Sequence, residues 1–316
     1  MRKILIFVVV ALLTVLSGCS FNKALDAEKE EINIAYQYGL SYAPFEIMKQ
    51  KKLIEEKLPN IKINWFVMSS GSAMNEGILS GDIDIAVMGT APFLMGVDKG
   101  IPYKIYSSIS AQPLVLITNN KNIKSIIDFK EGDKIAVPAM GSIQHIALAM
   151  MAKAELGDAS ALDEHLISMS SPDALQTMQT NQEVKAHVAS SPYYNLSLEQ
   201  KGHNAIAYST DYIREDTSII VAVATERLKK EQPKLFNAVE KATDESISYV
   251  NEHKEEVAKL LAEQEGLTGD QMLRYLSDGK FSYQTEVVGV LELSEFMKDN
   301  HFLENEISSK KNIVFE

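Results

Sequence analysis

Five short segments of the 316-residue chain concentrate groups able to hold a small ligand. They are Tyr38-Gly39 with Ser41-Tyr42, Ser69-Ser70-Gly71-Ser72, Gly89-Thr90-Ala91, Gly141-Ser142 with His145 just beyond, and Ser191-Pro192-Tyr193. Hydroxyls and free backbone N–H groups donate to an anion or a carbonyl, and glycine lets backbone approach a ligand closely. Tyrosine can stack on a planar solute while its hydroxyl donates. Each segment also has a plainer reading. Ser70 and Ser142 can simply cap helices, Gly89-Thr90 can be an ordinary strand-to-helix turn, and His145 can be a satisfied structural histidine. Tyr36, alternating onto the same side as Tyr38, fits the core or the ligand.

Catalytic chemistry is harder to assemble from these residues. The chain contains no G-x-S-x-G elbow, no H-E-x-x-H zinc motif and no glycine-rich phosphate loop ending in Lys-Ser/Thr. Its one cysteine, Cys19, excludes an intrachain disulfide or a thiolate cluster. His203, His253 and His301 lack metal-ligand spacing, and His187 reads as structural. Asp82 and Asp84 flank a strand start and are expected to end the preceding turn, facing solvent. Neither a metal nor a cofactor is expected.

The loops need elements to hold them. Apolar spacing predicts strands at 32–36, 61–67, 83–88, 113–118, 134–137, 164–168, 184–189 and 218–224. Helices are predicted at 43–57, 72–79, 142–156, 172–180 and near 193–200, and over most of 225–300, with breaks at Pro233, 266–269 and 279–283. Strands alternating with helices predict parallel βαβ units and an α/β fold of two open sheets. Ligands bind such sheets at the carboxyl ends of the strands, so two facing rims would leave a cleft between them. The stripes Leu235, Phe236, Val239, Ala242 and Val257, Leu260, Leu261 read as helix faces packed on a sheet.

Arg2 and Lys3 open the chain, an apolar run from Ile4 to Leu16 follows, and Leu16-Ser17-Gly18-Cys19 closes it. The run falls short of the roughly 20 apolar residues that span a bilayer, so it reads as an export signal, residues 1–18. The closing tetrapeptide resembles the lipobox of bacterial lipoproteins. That resemblance implies lipidation at Cys19, a tether over 19–31, and a protein held on the extracytoplasmic face of the cell membrane. The net charge of −12, or −14 once Arg2 and Lys3 are removed, argues against nucleic acid and against an anionic lipid surface as electrostatic partners.

A family resemblance rests on several stretches in order. They are Ser70-Gly71-Ser72, Leu79-Ser80-Gly81-Asp82-Ile83-Asp84-Ile85, Gly89-Thr90-Ala91-Pro92, Gly100-Ile101-Pro102, Asp128-Phe129-Lys130 and Lys134 to Pro138, then Ser142 with His145, and Ser190-Ser191-Pro192-Tyr193. From Ile32 onward the chain resembles substrate-binding proteins of taurine, alkanesulfonate and nitrate importers and their thiamine-pyrimidine-precursor relatives. The resemblance implies the type II periplasmic-binding-protein fold, with one lobe from 32–112 plus 216–316 and the other from 113–215. It implies a monomer that closes on a small-molecule ligand and delivers it to an ABC permease with its ATPase subunits. No lysine or arginine stands in the cleft loops, and Ser69 stands where an amine-binding relative would place a carboxylate. This favours a small anion or a neutral planar solute over taurine, unless Arg214, Glu215 or Asp216 reaches the cleft. Two other readings stay open: a lipid-anchored enzyme of this fold acting on a pyrimidine or menaquinone precursor, and a sensory binding lipoprotein.

Overall fold

The structure, a computed structural model, describes residues 31–180 and 183–316. The export signal expected over 1–18, Cys19 and nearly all of the expected tether over 19–31 lie outside the described residues. Eleven strands among the described residues form two sheets. The first contains β1 (Glu31–Tyr36), β2 (Lys62–Val67), β3 (Ile85–Gly89), β4 (Tyr103–Ala111), β10 (Ile220–Thr225) and β11 (Ser282–Tyr283), in the order β11-β4-β10-β3-β1-β2. The second contains β5 (Val115–Thr118), β6 (Lys134–Val137), β7 (Leu166–Ser168), β8 (Val184–Ala189) and β9 (Asn204–Tyr208), in the order β7-β6-β8-β5-β9.

The two sheets follow one plan. In each, one strand pairs in parallel with two neighbours, β1 with β2 and β3, and β6 with β7 and β8. Each sheet also holds one antiparallel strand that arrives from the other lobe, β10 in the first and β5 in the second. The chain therefore crosses twice, at 112–114 and at 209–219. Sequence alternation anticipates the parallel units. The antiparallel direction of β10 and β5 follows from the crossovers, which deliver each strand from the opposite side.

Thirteen helices among the described residues cover the sheets: α1 (Ala43–Lys51), α2 (Leu53–Lys57), α3 (Gly71–Ser80), α4 (Thr90–Asp98), α5 (Ile143–Leu156), α6 (Ser171–Thr180), α7 (Tyr193–Glu199), α8 (Glu226–Glu231), α9 (Pro233–Glu252), α10 (Lys254–Ala262), α11 (Gly269–Leu276), α12 (Val290–Asp299) and α13 (Lys310–Ile313). The single helix expected over 43–57 is broken at Lys52, whose φ of 56° is left-handed. The break re-phases the chain so that Leu53 and Ile54 join Ile47 and Met48 in the core. The Gly89 to Pro92 segment, expected as a turn, passes directly into α4. Strand β4 had no sequence signal because Ser107, Ser108 and Ser110 dilute its apolar character, yet all three are buried. Leu235, Phe236, Val239 and Ala242 of α9 are buried where that helix packs on α1 and β4, and fully burying one such leucine or phenylalanine stabilises by about 1.5–3 kcal/mol.

Asp84 corrects the sequence reading. It is buried, and its Oδ2 accepts the Asn33 N–H at 2.9 Å, tying the entry to β3 against β1. An unpaired N–H at that depth would otherwise cost stability.

Candidate ligand-binding cleft

A narrow cleft lies where the carboxyl ends of the two sheets face each other. Residues after β1 (Gln37, Tyr38, Ser41, Tyr42) and after β2 (Met68, Ser69) line the first side. Pro138 after β6, Ile143 and Gln144 of α5, Ser170 to Pro172 at the start of α6, and Ser190 after β8 line the second. Leu114 of the first crossover, Ile219 at the end of the second and Ile220 at the start of β10 form its floor. β2 and β7 lie farthest from the crossing strands in their sheets, so Ser69 and the Ser170 segment stand at the open rim.

None of the lining residues carries a charge. Polarity comes from hydroxyls, carboxamides and the starts of helices. Ser142 caps α5 by accepting the His145 N–H at 3.2 Å, and Ser70 caps α3 by accepting the Ala73 N–H at 3.3 Å. Ser170 holds the first turn of α6, with the Asp173 N–H donating to it at 3.4 Å. The remaining N–H groups of a first helical turn have no partner within the helix and carry a partial positive charge. Those of Ile143 and Gln144 belong to residues on the cleft wall. Burial keeps the Tyr42 phenol far above its ordinary pKa, so its hydroxyl stays protonated and able to donate. Leu114, Ile143, Ile219, Ile220 and Met68 supply apolar surface beside these donors.

Gln112, in the first crossover, joins the two sides. Its Oε1 accepts the Ser191 N–H at 3.0 Å, while its Nε2 donates to Ser41 Oγ. All three residues are buried. Beside them the Leu40 N–H donates to the Ser191 carbonyl at 3.0 Å, and the Tyr283 hydroxyl donates to the Leu40 carbonyl at 2.7 Å.

Of the residues singled out from sequence, Tyr38, Ser41, Tyr42 and Ser69 line the cleft. The others stand behind or beside it. Ser70 is a buried cap, and Ser72 is exposed on α3. Gly71 packs so closely on Pro92 that an added Cβ would lie 2.5 Å from its Cγ. Thr90 Oγ1 donates to the Ser218 carbonyl at 2.5 Å and its N–H to Ile219 O at 2.9 Å, fixing the second crossover, while Ala91 is buried. Gly89 lies against Ile143, and Gly141, with φ of 76°, against Met95, so these glycines seat α4 on α5. Gly39 abuts Ser191 and the Tyr193 ring.

His145 takes the structural role. Its Nδ1 accepts the Gly141 N–H at 2.9 Å, which leaves the proton on Nε2, 3.1 Å from Asp163 Oδ1. Ser191 Oγ bonds Asn195 at 2.7 Å, and the bond to Pro192 is cis. The Tyr193 hydroxyl donates to Glu265 at 2.9 Å. Burial raises the pKa of that carboxyl. Tyr36 is core, with its hydroxyl on Glu46. Arg214 pairs with Asp216 on the outer side of the second crossover, and Glu215 and Asp216 line a different hollow there.

Gln37, Met68, Leu114, Pro138, Ile143, Gln144, Ser170 to Pro172, Ser190, Ile219 and Ile220 were not anticipated as cleft residues. Pro138 and Ser190 fell within quoted motifs, and Ser170-Ser171-Pro172 carries the same helix-start chemistry as Ser69 to Ser72. Leu114, Ile219 and Ile220 give no local signal, because their place on the floor depends on both crossovers. Among the described residues no group of three or more His, Cys, Asp or Glu is arranged to hold a metal, and no helix is long and apolar enough to cross a membrane.

Comparison with known proteins gives a consistent result. The model of the NMT1-like family matches residues 25–263. A Bacillus subtilis (strain 168) protein named for binding aliphatic sulfonates is 30% identical over 271 residues, spanning 83% of this chain and 78% of its own. An Escherichia coli (strain K12) protein of the same name is 25% identical over 269 residues, spanning 84% and 81%. Among solved structures, the alkanesulfonate-binding protein of Xanthomonas axonopodis pv. citri bound to MOPS is similar with a TM-score of 0.77 at 20% identity, covering 92% of this chain and 99% of that one. The periplasmic nitrate-binding protein of Synechocystis PCC 6803 is similar with a TM-score of 0.75 at 14% identity, covering 91% and 86%. At these identities the structural likeness speaks for a shared periplasmic-binding-protein fold.

Proposed function

The chain belongs to the NMT1-like family, and from that premise we propose that it is an extracytoplasmic solute-binding protein that captures an aliphatic sulfonate for an ATP-driven importer. The observation that carries the ligand class is the cleft wall: hydroxyl, carboxamide and helix-start N–H donors beside aliphatic side chains, with no charged group. A sulfonate is a strong acid whose single negative charge is spread over three oxygens, so several neutral donors can share it. Its alkyl part suits Leu114, Ile143, Ile219 and Ile220. A zwitterion such as taurine would leave its ammonium without a carboxylate.

Contacts from both lobes favour the closed state, and only this difference in affinity drives closure. A permease with its ATPase would then read the closed monomer. We take one lobe as 32–112 plus 216–316 and the other as 113–215, a division supported by the strands of each sheet. Residues 1–18 act as a lipoprotein signal, Cys19 carries the lipid, and 19–31 tether the domain to the outer face of the membrane. Binding without chemical change is supported by the relatives, which are named as binding proteins.

A thermal-shift panel on the domain from Ser20 tests the ligand class with alkanesulfonates, taurine, nitrate and planar heterocycles. Ligand at 100 times its dissociation constant adds roughly 2.7 kcal/mol of stability. Stabilisation by alkanesulfonates above all others is expected. Stabilisation by a heterocycle alone would overturn the ligand class.

A further inference from the structure

We propose that Gln112 is a positioning residue that commits the Ser41 hydroxyl proton to the cleft, making Ser41 a donor to the bound anion. This rests on the reading of the cleft as an anion site. The argument begins at a group whose polarity is fixed. The Ser191 backbone N–H can only donate, so the atom of Gln112 facing it at 3.0 Å must be the carboxamide oxygen. The other end of the carboxamide is then its NH2, which can only donate, and it lies on Ser41 Oγ. Ser41 therefore accepts from Gln112. Its own proton has no acceptor among the hydrogen bonds of the described residues, and Ser41 belongs to the cleft lining.

Burial of all three residues removes water as an alternative partner for this arrangement. Gln112 also sits in the first crossover, so the relay starts on a lobe 2 backbone group and ends on a lobe 1 hydroxyl. The orientation of the donor thereby depends on Ser191 and Ser41 both staying within reach of the Gln112 carboxamide. The Leu40 N–H to Ser191 carbonyl bond maintains that spacing. A glutamate at 112 would keep both bridges but reverse the second, because a carboxylate accepts the Ser41 proton and takes it from the ligand.

Calorimetric titration with sodium 1-butanesulfonate tests this on the wild type, S41A, Q112E, Q112M and the two double variants with S41A. Loss of one charge-assisted bond should weaken binding roughly tenfold or more in S41A. Q112E should lose at least as much, although it preserves both bridges. In the S41A background each Gln112 substitution should cost clearly less than in wild type, which is the coupling a double-mutant cycle isolates. Retained binding in Q112E, or equal losses with and without Ser41, would overturn the relay while leaving the ligand class intact. No binding by the wild type overturns the anion reading and the relay with it. Q112E keeps the shape of glutamine, so it remains informative where Q112M fails to fold.

Discussion

Tyr42 and His187 show how burial makes a side chain a donor in one place and a liability in another. Tyr42 lines the cleft with a phenol that burial keeps protonated. Y42F should weaken butanesulfonate binding by about 1.5–3 kcal/mol if its hydroxyl meets the charged group, measured by calorimetry, and should leave the melting temperature nearly unchanged. His187 on β8 has its Nε2 2.7 Å from Ser197 Oγ, and burial, with His203 adding to it, pushes its pKa down to about 3. A histidine held neutral in the fold contributes stability above pH 6.5, and loses it as pH falls from there toward its folded value. Between pH 7.5 and 5.0 the wild type should therefore lose about 2 kcal/mol that H187Q does not lose. Urea melts of both proteins at the two pH values check this, and equal losses would contradict it. At this scale the hydroxyl donors Ser41, Tyr42 and Ser69 were legible, because serine and tyrosine beside glycine at strand ends announce themselves. Gln37, Gln144 and Ile219 were not, since ordinary residues become cleft residues only through their neighbours.

Helix starts and close packing carry the next level. S142A removes the oxygen that accepts the His145 N–H at 3.2 Å and should cost roughly 1 kcal/mol of stability. It should also weaken ligand binding severalfold, because the first turn of α5 frays where Ile143 and Gln144 face the cleft. Unchanged binding by calorimetry would show that α5 contributes no donors. G71A places a methyl group 2.5 Å from the rigid Pro92 ring and should destabilise the fold by roughly 1–3 kcal/mol, read from thermal melts. The strands 134–137 and 184–189 emerged from sequence with their observed limits because they are short apolar runs between clear turns. β4 did not. Its buried serines look polar to any periodicity argument, and only their place between β10 and β11 explains them. The Gly89 to Pro92 segment misled for the opposite reason, since glycine and proline mark helix starts as readily as turns.

At the scale of the molecule, two sheets of one plan, each receiving a strand from the other, place five strand ends around one uncharged cleft. Alternating strands and helices made the two-sheet architecture legible, whereas the cleft floor was hidden because it is built by crossovers far apart in the chain. If the lobes close on ligand, butanesulfonate should reduce the radius of gyration in small-angle scattering. An unchanged radius on saturation would argue against closure. The most direct test of the account is a crystal structure of the domain with 1-butanesulfonate. It should place the sulfonate oxygens within hydrogen-bond distance of Ser41, Tyr42 and the N–H groups that open α5, with the alkyl chain toward Leu114 and Ile219. A sulfonate bound outside this cleft, or one met by a lysine or arginine, would contradict it.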